Sequence, residues 1–355
     1  MSENRLLKIT TLENKIQVLD TERASLVQEL NQLKKLSHKN SPTPVTQYSS
    51  STDKIQLFKS LFRGREDIYP KRWENVKTGK AGYSPVCGNE WKAGLCDKPR
   101  IKCSVCTNRS FLPVTDQVIQ NHLSGIDNNN NYSVNFVIGV YPLLTDERCW
   151  FLAIDFDKAN WQEDVKAFSL VCKENKVPNA IEISRSGKGA HVWIFFAQLV
   201  FAAEARKLGA LLLTQAMNYN PELGFESYDR FFPNQDTMSK GGFGNLIALP
   251  LQKKAREQGN SVFVNKQLIE YEDQWAYLST IKKLSLVELA HLVNQAEKQN
   301  NILAVKMPVE EDNGKPWQMS PSRKDKTLVD MGDLPKKINL VIGNQIFIEK
   351  KNLSA

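Results

Sequence analysis

The chain has 355 residues, of which 41% are hydrophobic and 24% are charged. This length and composition exclude a single small core and favour two domains with accessory segments. Lysine and arginine number 47 against 39 acidic residues, so the formal net charge is +8, which suits a polyanionic partner.

No apolar run approaches the roughly 18 residues of a membrane span, and the polar start MSENRLLK is not a signal peptide. We therefore expect a cytoplasmic protein without membrane contact. In that reducing compartment the six cysteines are expected to be thiols or metal ligands and not disulfides.

Residues 1–36 carry apolar side chains at alternating spacings of three and four, without Gly or Pro. This periodicity favours a coiled coil that joins copies of the chain into a homo-oligomer. The alternative is a helix packed on the chain's own globular part. Residues 37–53 are rich in Ser, Thr and Pro, which predicts a flexible linker. The predicted core positions are Ile9, Leu12, Ile16, Leu19, Leu26, Leu30 and Leu33, with Arg23 interrupting the series.

Residues 54–125 are predicted to form a basic helical and zinc-binding segment. Lys71, Arg72 and Trp73 combine cations with an aromatic ring, and we predict that they bind nucleic acid. A solvated basic face is the alternative.

Four cysteines follow in a C-x8-C-x6-C-x2-C pattern among turn-forming Gly and Pro. Four soft ligands closed by a CxxC pair suit tetrahedral Zn²⁺, and free or redox thiols are the alternative. His122 lies too far along the chain to be a preferred ligand. The predicted zinc ligands are Cys87, Cys96, Cys103 and Cys106.

An apolar run from Cys149 ends in two carboxylates separated by one residue. Successive side chains of a strand alternate faces, so Asp155 and Asp157 project from the same face and can share divalent cations. Two-metal nucleotidyl transferases are built in this way. Taken alone, the pattern also fits a strand that ends in solvated acids.

Two further apolar runs, within residues 180–196, flank a small cationic loop. The flanks predict strands, and the loop offers N–H groups, hydroxyls and positive charge to a polyphosphate. A simple turn and a structural histidine are the alternatives. The predicted nucleotide-binding residues are Arg185, Ser186, Lys188, Gly189 and His191.

Helices are predicted at residues 161–176 and 199–219, so that β-helix-β occurs twice. The two helices would cover one sheet face and leave the acids and the basic loop on the other. A third acid, Asp229, follows beside bulky apolar residues. Lys253 and Lys254 come after a glycine turn and a buried strand, and we predict that they contact template phosphates.

A last amphipathic helix is predicted at residues 282–300, and residues 301–355 are predicted as a polar linker ending in a hairpin across Gly343 and Asn344. The glycine turn at 241–244 precedes Asn245, a candidate contact to a sugar or base. The alternative for this region is a hairpin without a ligand.

The order of these motifs resembles the archaeo-eukaryotic primase superfamily, whose signatures are an apolar strand ending in Asp-x-Asp or Asp-x-Glu, a small-x-His element and a later apolar-Asp element. The strings SRSGKGAHVWIFF, SYDRFFPNQD and GGFGNLIALPLQ are similar to the primase-polymerase component of TOTE conflict systems. The resemblance extends from about Lys54 to about Ile281. Gly189 occupies a position where other branches often carry Ser, so a hydroxyl contact would pass to Ser186 or to backbone N–H groups.

This resemblance implies an α+β fold, with an RNA-recognition-motif-like sheet in a catalytic core at residues 126–300. It also implies a helicase and a nuclease as further parts of the system, fused or separate. The fold class expected for the whole chain adds a four-cysteine zinc segment and an N-terminal coiled-coil helix to that core.

The residues and the resemblance together predict a DNA primase-polymerase that makes and extends primers on single-stranded DNA, within a mobile-element defence system. Asp155, Asp157 and Asp229 would hold two Mg²⁺ or Mn²⁺ ions, and the basic loop would hold a nucleoside triphosphate. A metal-dependent nuclease and a non-catalytic zinc module that binds nucleic acid are the alternatives. Triphosphate binding separates the first alternative, and DNA binding without metal-dependent activity would favour the second.

Overall fold

The computed structural model describes residues 3–39, 44–75, 77–127, 135–219, 227–298, 341–342 and 345–346. The chain divides into two compact units, Met1–Pro44 and Val45–Ala355. No helix in the described ranges is long and apolar enough to cross a bilayer.

The first unit contains helix α1, Glu3–Lys39. Its predicted core positions are exposed, with Leu12 at 54% and Leu26 at 59%. The apolar stripe is therefore open to solvent in a single chain, and pairing between chains stays a prediction. The side chains of Leu30 and Leu33 lie outside the described part of the helix.

The second unit begins inside the predicted linker. The backbone N–H of Val45 donates to the hydroxyl of Ser279 at 2.9 Å. Ser50 caps helix α2, Ser51–Leu61, by accepting a backbone N–H from its first turn. The prediction of a flexible linker over 37–53 is therefore wrong from Val45 onward, because the hydroxyl groups of this stretch form a turn and a helix cap.

The other elements follow in chain order. They are β1 (Pro70–Asn75), β2 (Lys80–Pro85), α3 (Asp116–Ser124), β3 (Gly139–Val140), β4 (Arg148–Asp157), α4 (Trp161–Glu174), β5 (Ala180–Ile183), β6 (Gly189–Phe201), α5 (Ala202–Tyr219), β7 (Tyr228–Phe232), β8 (Ile247–Ala248), α6 (Lys253–Arg256), β9 (Phe263–Val264), α7 (Gln274–Ser279), α8 (Leu286–Lys298), β10 (Val341–Ile342) and β11 (Gln345–Ile346).

Two element boundaries bear on the sequence predictions. Helix α5 begins three residues later than predicted because β6 continues to Phe201, which pairs with Arg148 of β4. Strands β10 and β11 pair antiparallel where the sequence predicts a hairpin, and its two turn residues lie outside the described ranges. The rest of residues 301–355 also lies outside them.

Five strands form the central sheet in the order β7-β4-β6-β5-β9, and each neighbouring pair is antiparallel. The connections β4-α4-β5 and β6-α5-β7 each cross over one strand, so that two βαβ units interlock. This is the β-α-β-β-α-β arrangement that an RNA-recognition-motif-like sheet requires, with β9 added at one edge. The mixed helix-and-sheet class is thus confirmed.

The sheet separates two hydrophobic cores. Ile154 and Phe156 of β4 belong to the core that α4, α5 and α8 cover, whereas Phe151 and Ala153 belong to the opposite core. This division follows from the alternation of side chains along a strand. As predicted, α4 and α5 lie on the face opposite the one to which Asp155 belongs.

Helix α2 covers the second face of the sheet. The ring of Phe62, just after α2, lies 5.0 Å from that of Trp193 and 5.5 Å from that of Phe195. Burying one such aromatic side chain contributes about 2–3 kcal/mol. Residues 54–125 and 126–300 therefore share a core, and the predicted domain boundary between them is wrong because the apolar face of α2 packs on the sheet.

Candidate active site

Three carboxylates meet where β4 reaches the end of the sheet. Asp155 and Asp157 follow Ala153 at alternate positions, so all three share a face. On the neighbouring strand β7, Arg230 pairs with Asp155 and Tyr228 pairs with Phe156. Asp229 is left as the extra residue of a β-bulge, a feature that redirects side chains.

The three acids interact with one another electrostatically. Burial raises the pKa of Asp155, the charge of His191 opposes this rise, and the charges of Asp229 and Asp157 add to it. Burial and the charge of Asp229 likewise raise the pKa of Asp157. Among the described residues, none donates a hydrogen bond to the buried Oδ1 of Asp157, and Nζ of Lys158 lies 3.8 Å from it. A nearby cation would stabilise such a cluster.

Arg230 supplies part of that positive charge from within the chain. Its Nε donates to Oδ2 of Asp229 at 2.5 Å. Burial lowers the pKa of Arg230, but the hydrogen bond and charge of Asp229 outweigh this effect and raise it. Sequence analysis missed this role, although Arg230 directly follows Asp229. Among the described residues, no group of three or more His, Cys, Asp or Glu side chains is arranged to hold a metal ion.

His191 lies opposite Asp155 in the pairing of β6 with β4. Its Nε2 is 3.6 Å from Oδ1 of Asp155, and its Nδ1 is 3.0 Å from Oε2 of Glu182. Burial lowers the pKa of His191, but the charge and hydrogen bond of Glu182 and the charge of Asp155 outweigh it, so the pKa is raised.

Sequence analysis also missed Glu182. The side chain is 1% exposed, and Oε2 accepts a second hydrogen bond from Nε1 of Trp193 at 2.9 Å. The available signal was an acidic residue inside the apolar strand β5. Its partner could not be identified without the register of β5 against β6, which pairs Glu182 with His191.

The predicted phosphate loop is a tight turn between β5 and β6. The N–H of Gly187 donates to the carbonyl of Ser184 at 3.0 Å, and its φ of 71° lies in the left-handed region that favours glycine. The hydroxyl of Ser186 accepts the N–H of Lys188 at 3.2 Å. The side chain of Lys188 is exposed at the end of the loop.

Arg185, in the same loop, hydrogen-bonds a buried amide. Its Nη1 donates to Oε1 of Gln252 at 2.5 Å, and Nε2 of Gln252 donates to the carbonyl of Leu249 at 3.0 Å. Burial and then the charge of Arg72 lower the pKa of Arg185. Two neighbouring cations of this kind form an environment in which an anion is favoured.

Gly189 has a packing role beside the acids. A Cβ atom at this position would lie 2.4 Å from the carbonyl oxygen of Phe156, because β4 and β6 approach closely where Asp157 pairs with Gly189. A larger residue would displace the strand that carries Asp157. The strand pairing therefore explains glycine here without a phosphate contact.

The residues predicted to bind nucleic acid occupy the β1–β2 hairpin and helix α6. Nζ of Lys71 is 2.9 Å from the carboxylate of Asp127 and lies over the ring of Phe136, so Lys71 already has partners within the chain. Arg72 pairs with Glu74 at 2.7 Å. Trp73 is 40% exposed.

The two lysines of α6 differ in their contacts. Lys253 forms an ion pair with Glu257 at 2.9 Å, and both side chains are exposed. Lys254 is also exposed. Asn245, predicted as a sugar or base contact, instead donates its amide to the carbonyl of Phe231 at 2.8 Å and so supports the end of β7.

The four clustered cysteines are free thiols that line one cavity of about 20 Å³. Sγ of Cys87 accepts the backbone N–H groups of Asn89 at 3.4 Å and Ser110 at 3.3 Å. Burial raises the pKa of Cys103, against the charge of Lys98. All four predicted ligands line this cavity, but within the described residues they are not arranged as a metal-holding group, so zinc binding stays a prediction.

His122 is buried in the core that residues 54–125 share with residues 126–300, two segments that sequence analysis predicted as separate domains. Its Nε2 donates to the carbonyl of Pro250 at 2.9 Å, and its Nδ1 accepts the N–H of Ile138 at 3.2 Å. This pair of contacts fixes a neutral tautomer. Burial lowers the pKa of His122 to about 4.

A family model described as "TOTE conflict system, Archaeo-Eukaryotic Primase domain" matches residues 53–292. No curated protein matches the chain. Among solved structures, the chain is similar to the "Polymerase Domain from Mycobacterium tuberculosis Ligase D in complex with DNA", with 12% identity and a TM-score of 0.33 over 72% of this chain and 91% of that one. A likeness at this TM-score supports no conclusion about fold or function.

Proposed function

Because the chain belongs to the archaeo-eukaryotic primase domain family of TOTE conflict systems, we propose that it is a DNA primase-polymerase that makes and extends primers on single-stranded DNA. Membership of this family supports nucleotidyltransferase activity of the primase-polymerase type. The observation that carries the proposal is the meeting of Asp155, Asp157 and Asp229 with His191 at one end of the sheet.

The three acids would hold two Mg²⁺ or Mn²⁺ ions. Carboxylates are suitable ligands for these hard cations, and the buried Oδ1 of Asp157, 3.8 Å from Nζ of Lys158, is a candidate ligand atom. Bound ions would stabilise the negative charge of the attacking and leaving oxygens. Arg230 donates a hydrogen bond to Asp229 in this structure, so metal binding at Asp229 would compete with that hydrogen bond.

The incoming nucleoside triphosphate would bind at the β5–β6 loop. Lys188 is exposed at the loop, Arg185 is held by buried Gln252, and Nε2 of His191 faces the acid cluster. Ser186 contributes its hydroxyl. The reaction is attack of a primer 3′-oxygen on the α-phosphorus with departure of pyrophosphate, and it needs no protein nucleophile.

The template and primer would lie along the hairpin and α6. Exposed Trp73 is suited to stacking on a base, and Arg72 and exposed Lys254 are suited to phosphate contacts. Lys71 and Lys253 would have to exchange their partners within the chain for DNA.

The cysteine cavity would hold one structural Zn²⁺. Its support is the convergence of Cys87, Cys96, Cys103 and Cys106 around one small space. The amide–sulfur contacts of Cys87 would in that case stabilise a thiolate ligand.

Helix α1 would join copies of the chain through its exposed apolar stripe. Light scattering of the full chain and of a chain starting at Val45 tests this, and an equal number of chains per particle in both would contradict it. A role in defence beside a helicase and a nuclease is proposed from the family's name and from the resemblance of the motifs.

The deciding experiment incubates the protein with single-stranded DNA, Mn²⁺ and labelled nucleotides, with and without an annealed primer. Products longer than the primer, and new chains without one, support the proposal. Shortened DNA with no nucleotide incorporation would identify a nuclease. Calorimetric titration with a triphosphate separates the two independently, because a nuclease has no need of the β5–β6 loop.

A further inference from the structure

We propose that Glu182 is a positioning residue for nucleotide binding, which orients the His191 ring so that Nε2 faces the acid cluster. This inference rests on the proposed function, since it assigns His191 to the triphosphate. It concerns a residue that neither the motifs nor the resemblance singles out.

Burial and hydrogen bonding fix the Glu182 carboxylate. It is 1% exposed, and Oε2 accepts hydrogen bonds from Nδ1 of His191 at 3.0 Å and Nε1 of Trp193 at 2.9 Å. Oε1 accepts a longer hydrogen bond from the hydroxyl of Ser261 at 3.4 Å. A buried carboxylate is costly unless its oxygens are paired in this way, so its position has few alternatives.

Trp193 connects this carboxylate to the rigid core. The indole is fully buried and packs against the rings of Phe62 and Phe195. Its position therefore fixes the Nε1–H that holds Glu182. The His191 ring lies at 90° to the same indole, with 6.2 Å between ring centroids. Trp193 thus fixes Oε2 of Glu182, and the same oxygen fixes the ring of His191.

The orientation matters because the two nitrogens of His191 face different surroundings. Nδ1 is used by Glu182 inside the protein, and Nε2 lies 3.6 Å from Asp155 at the edge of the acid cluster. Without an acceptor at Nδ1 the ring could rotate about χ2 and withdraw Nε2 from the site. Such a loss of preorganisation weakens substrate binding.

The test compares Glu182→Leu, which removes the acceptor, with Glu182→Gln, whose amide oxygen can accept both hydrogen bonds. Primer extension gives KM for the nucleotide and kcat separately. We expect Glu182→Leu to raise KM about tenfold or more and Glu182→Gln to stay within about threefold of wild type. A Gln variant as weak as the Leu variant would overturn the positioning role.

A double-mutant cycle separates positioning from general stability. In a His191→Ala background, Glu182→Leu should cause no further rise in KM. The same factor in both backgrounds would show that Glu182 acts independently of His191 and would overturn the inference. Ser261→Ala removes the long contact to Oε1 and an equally long contact with the backbone N–H of Gln252, but neither hydrogen bond to Oε2. It is the matched control and should leave KM unchanged.

Nitrogen-15 NMR of histidine-labelled wild-type protein tests the geometry without catalysis. The chain has four histidines, and the His191 signals are those lost in His191→Ala. We expect a protonated, hydrogen-bonded Nδ1. A ring whose single proton lies on Nε2 would overturn the inference. If the wild type makes no DNA at all, the proposed function fails, and this spectrum still decides the role of Glu182.

Discussion

The protein has two proposed metal sites, and it holds them in place differently. One is the end of the central sheet that carries Asp155, Asp157 and Asp229, here called the acid end. The other is the cysteine segment, residues 87–110. Asp155 lies within β4, with β6 and β7 on either side and a hydrophobic core against each face of the sheet. In the described structure, residues 87–110 form no helix and pair only through a bridge from Cys87 to Phe111. Trp91 is 70% exposed and Val105 is 69% exposed.

This difference shows two ways of preparing a metal site. The sheet holds acids together before any ion binds. Burial raises the pKa values of Asp155 and Asp157, and the charges of neighbouring acids raise them further. Uncharged thiols repel one another little, so bringing cysteines together costs little, but few other contacts keep them there. We therefore expect the first site to keep its shape without metal and the second to depend on it.

The largest expected effect is loss of synthesis on removing an acid from the sheet. Asp155→Ala or Asp157→Ala should slow primer extension by at least about a thousandfold, because the metal ligands are lost. The melting temperature should be unchanged or higher, because the ionised acids repel one another in the fold. Single-turnover extension and thermal denaturation measure the two effects.

The control for this prediction is Glu163→Ala, which removes the same charge from the exposed surface of α4. It should change neither quantity. Extension at the wild-type rate by either aspartate variant would show that the acid end of the sheet is not the catalytic site. A strongly lowered melting temperature would instead show that the acids support the fold.

The next expected effect is a loss of folding stability at low pH, which we attribute to His122. The pKa of buried His122 falls from 6.5 to about 4 on folding. Because the folded pKa is the lower one, the neutral ring stabilises the fold fully above pH 6.5, and this contribution is lost as pH falls toward 4. The loss is about 3 kcal/mol by pH 4.

Urea denaturation of the wild type and of His122→Gln at pH 7 and pH 4 measures this contribution. Gln can replace one donor and one acceptor but does not titrate, so it should lose about 3 kcal/mol less than the wild type over this range. Release of the proposed zinc by protonated thiols would be common to both proteins and would cancel in the comparison. Equal losses would show that His122 is not the buried titrating group.

Part of this architecture could be predicted from sequence, for local reasons. The alternation of side chains on a strand puts Asp155 and Asp157 on one face, and the two β-helix-β patterns predict the interlocking layout. These inferences need only neighbouring residues. They also place α4 and α5 on the face away from the acids.

The features that sequence analysis missed depend on contacts between distant residues. The apolar face of α2 predicts burial but not its partner, which is the far face of the sheet. The role of Glu182 depends on the register between β5 and β6. The positive charge of Lys71 beside Trp73 predicts a DNA contact. In the structure Lys71 pairs with Asp127, a partner that the sequence does not indicate.

A smaller effect is expected from the cysteines on the protein as a whole. The wild type should carry about one zinc per chain, and Cys103→Ser/Cys106→Ser should carry none. Limited proteolysis within residues 87–110 should become about a hundredfold faster, because little else opposes local opening. The melting temperature of the sheet should change little.

Cys172→Ala is the control, since that thiol belongs to α4 and is buried in the core. It should keep its zinc and its protease resistance. Full zinc in the double serine variant would place the ligands elsewhere. Cooperative unfolding of the whole protein would show that the cysteine segment is part of the main core.

The smallest expected effect is a difference between starting and extending a chain. Extension has a primer end that is already stacked and paired, whereas initiation must hold two nucleotides on the template without that help. The extra binding must come from other protein groups. The cysteine segment offers exposed Arg100 and Lys102, and it packs on the loop after β7 through Phe111 and Phe243, whose ring centroids are 5.3 Å apart.

We therefore expect Cys103→Ser/Cys106→Ser to reduce primer initiation about tenfold more than extension of a preformed primer. Both rates must be measured at the same salt concentration, because phosphate contacts weaken as salt rises and would imitate a selective defect. The contact with the loop after β7 allows a second outcome, since a disturbed loop would also shift Asp229. Equal loss of both activities in a folded variant would show that the cysteine segment supports the acid site itself, and the two regions would then act as one.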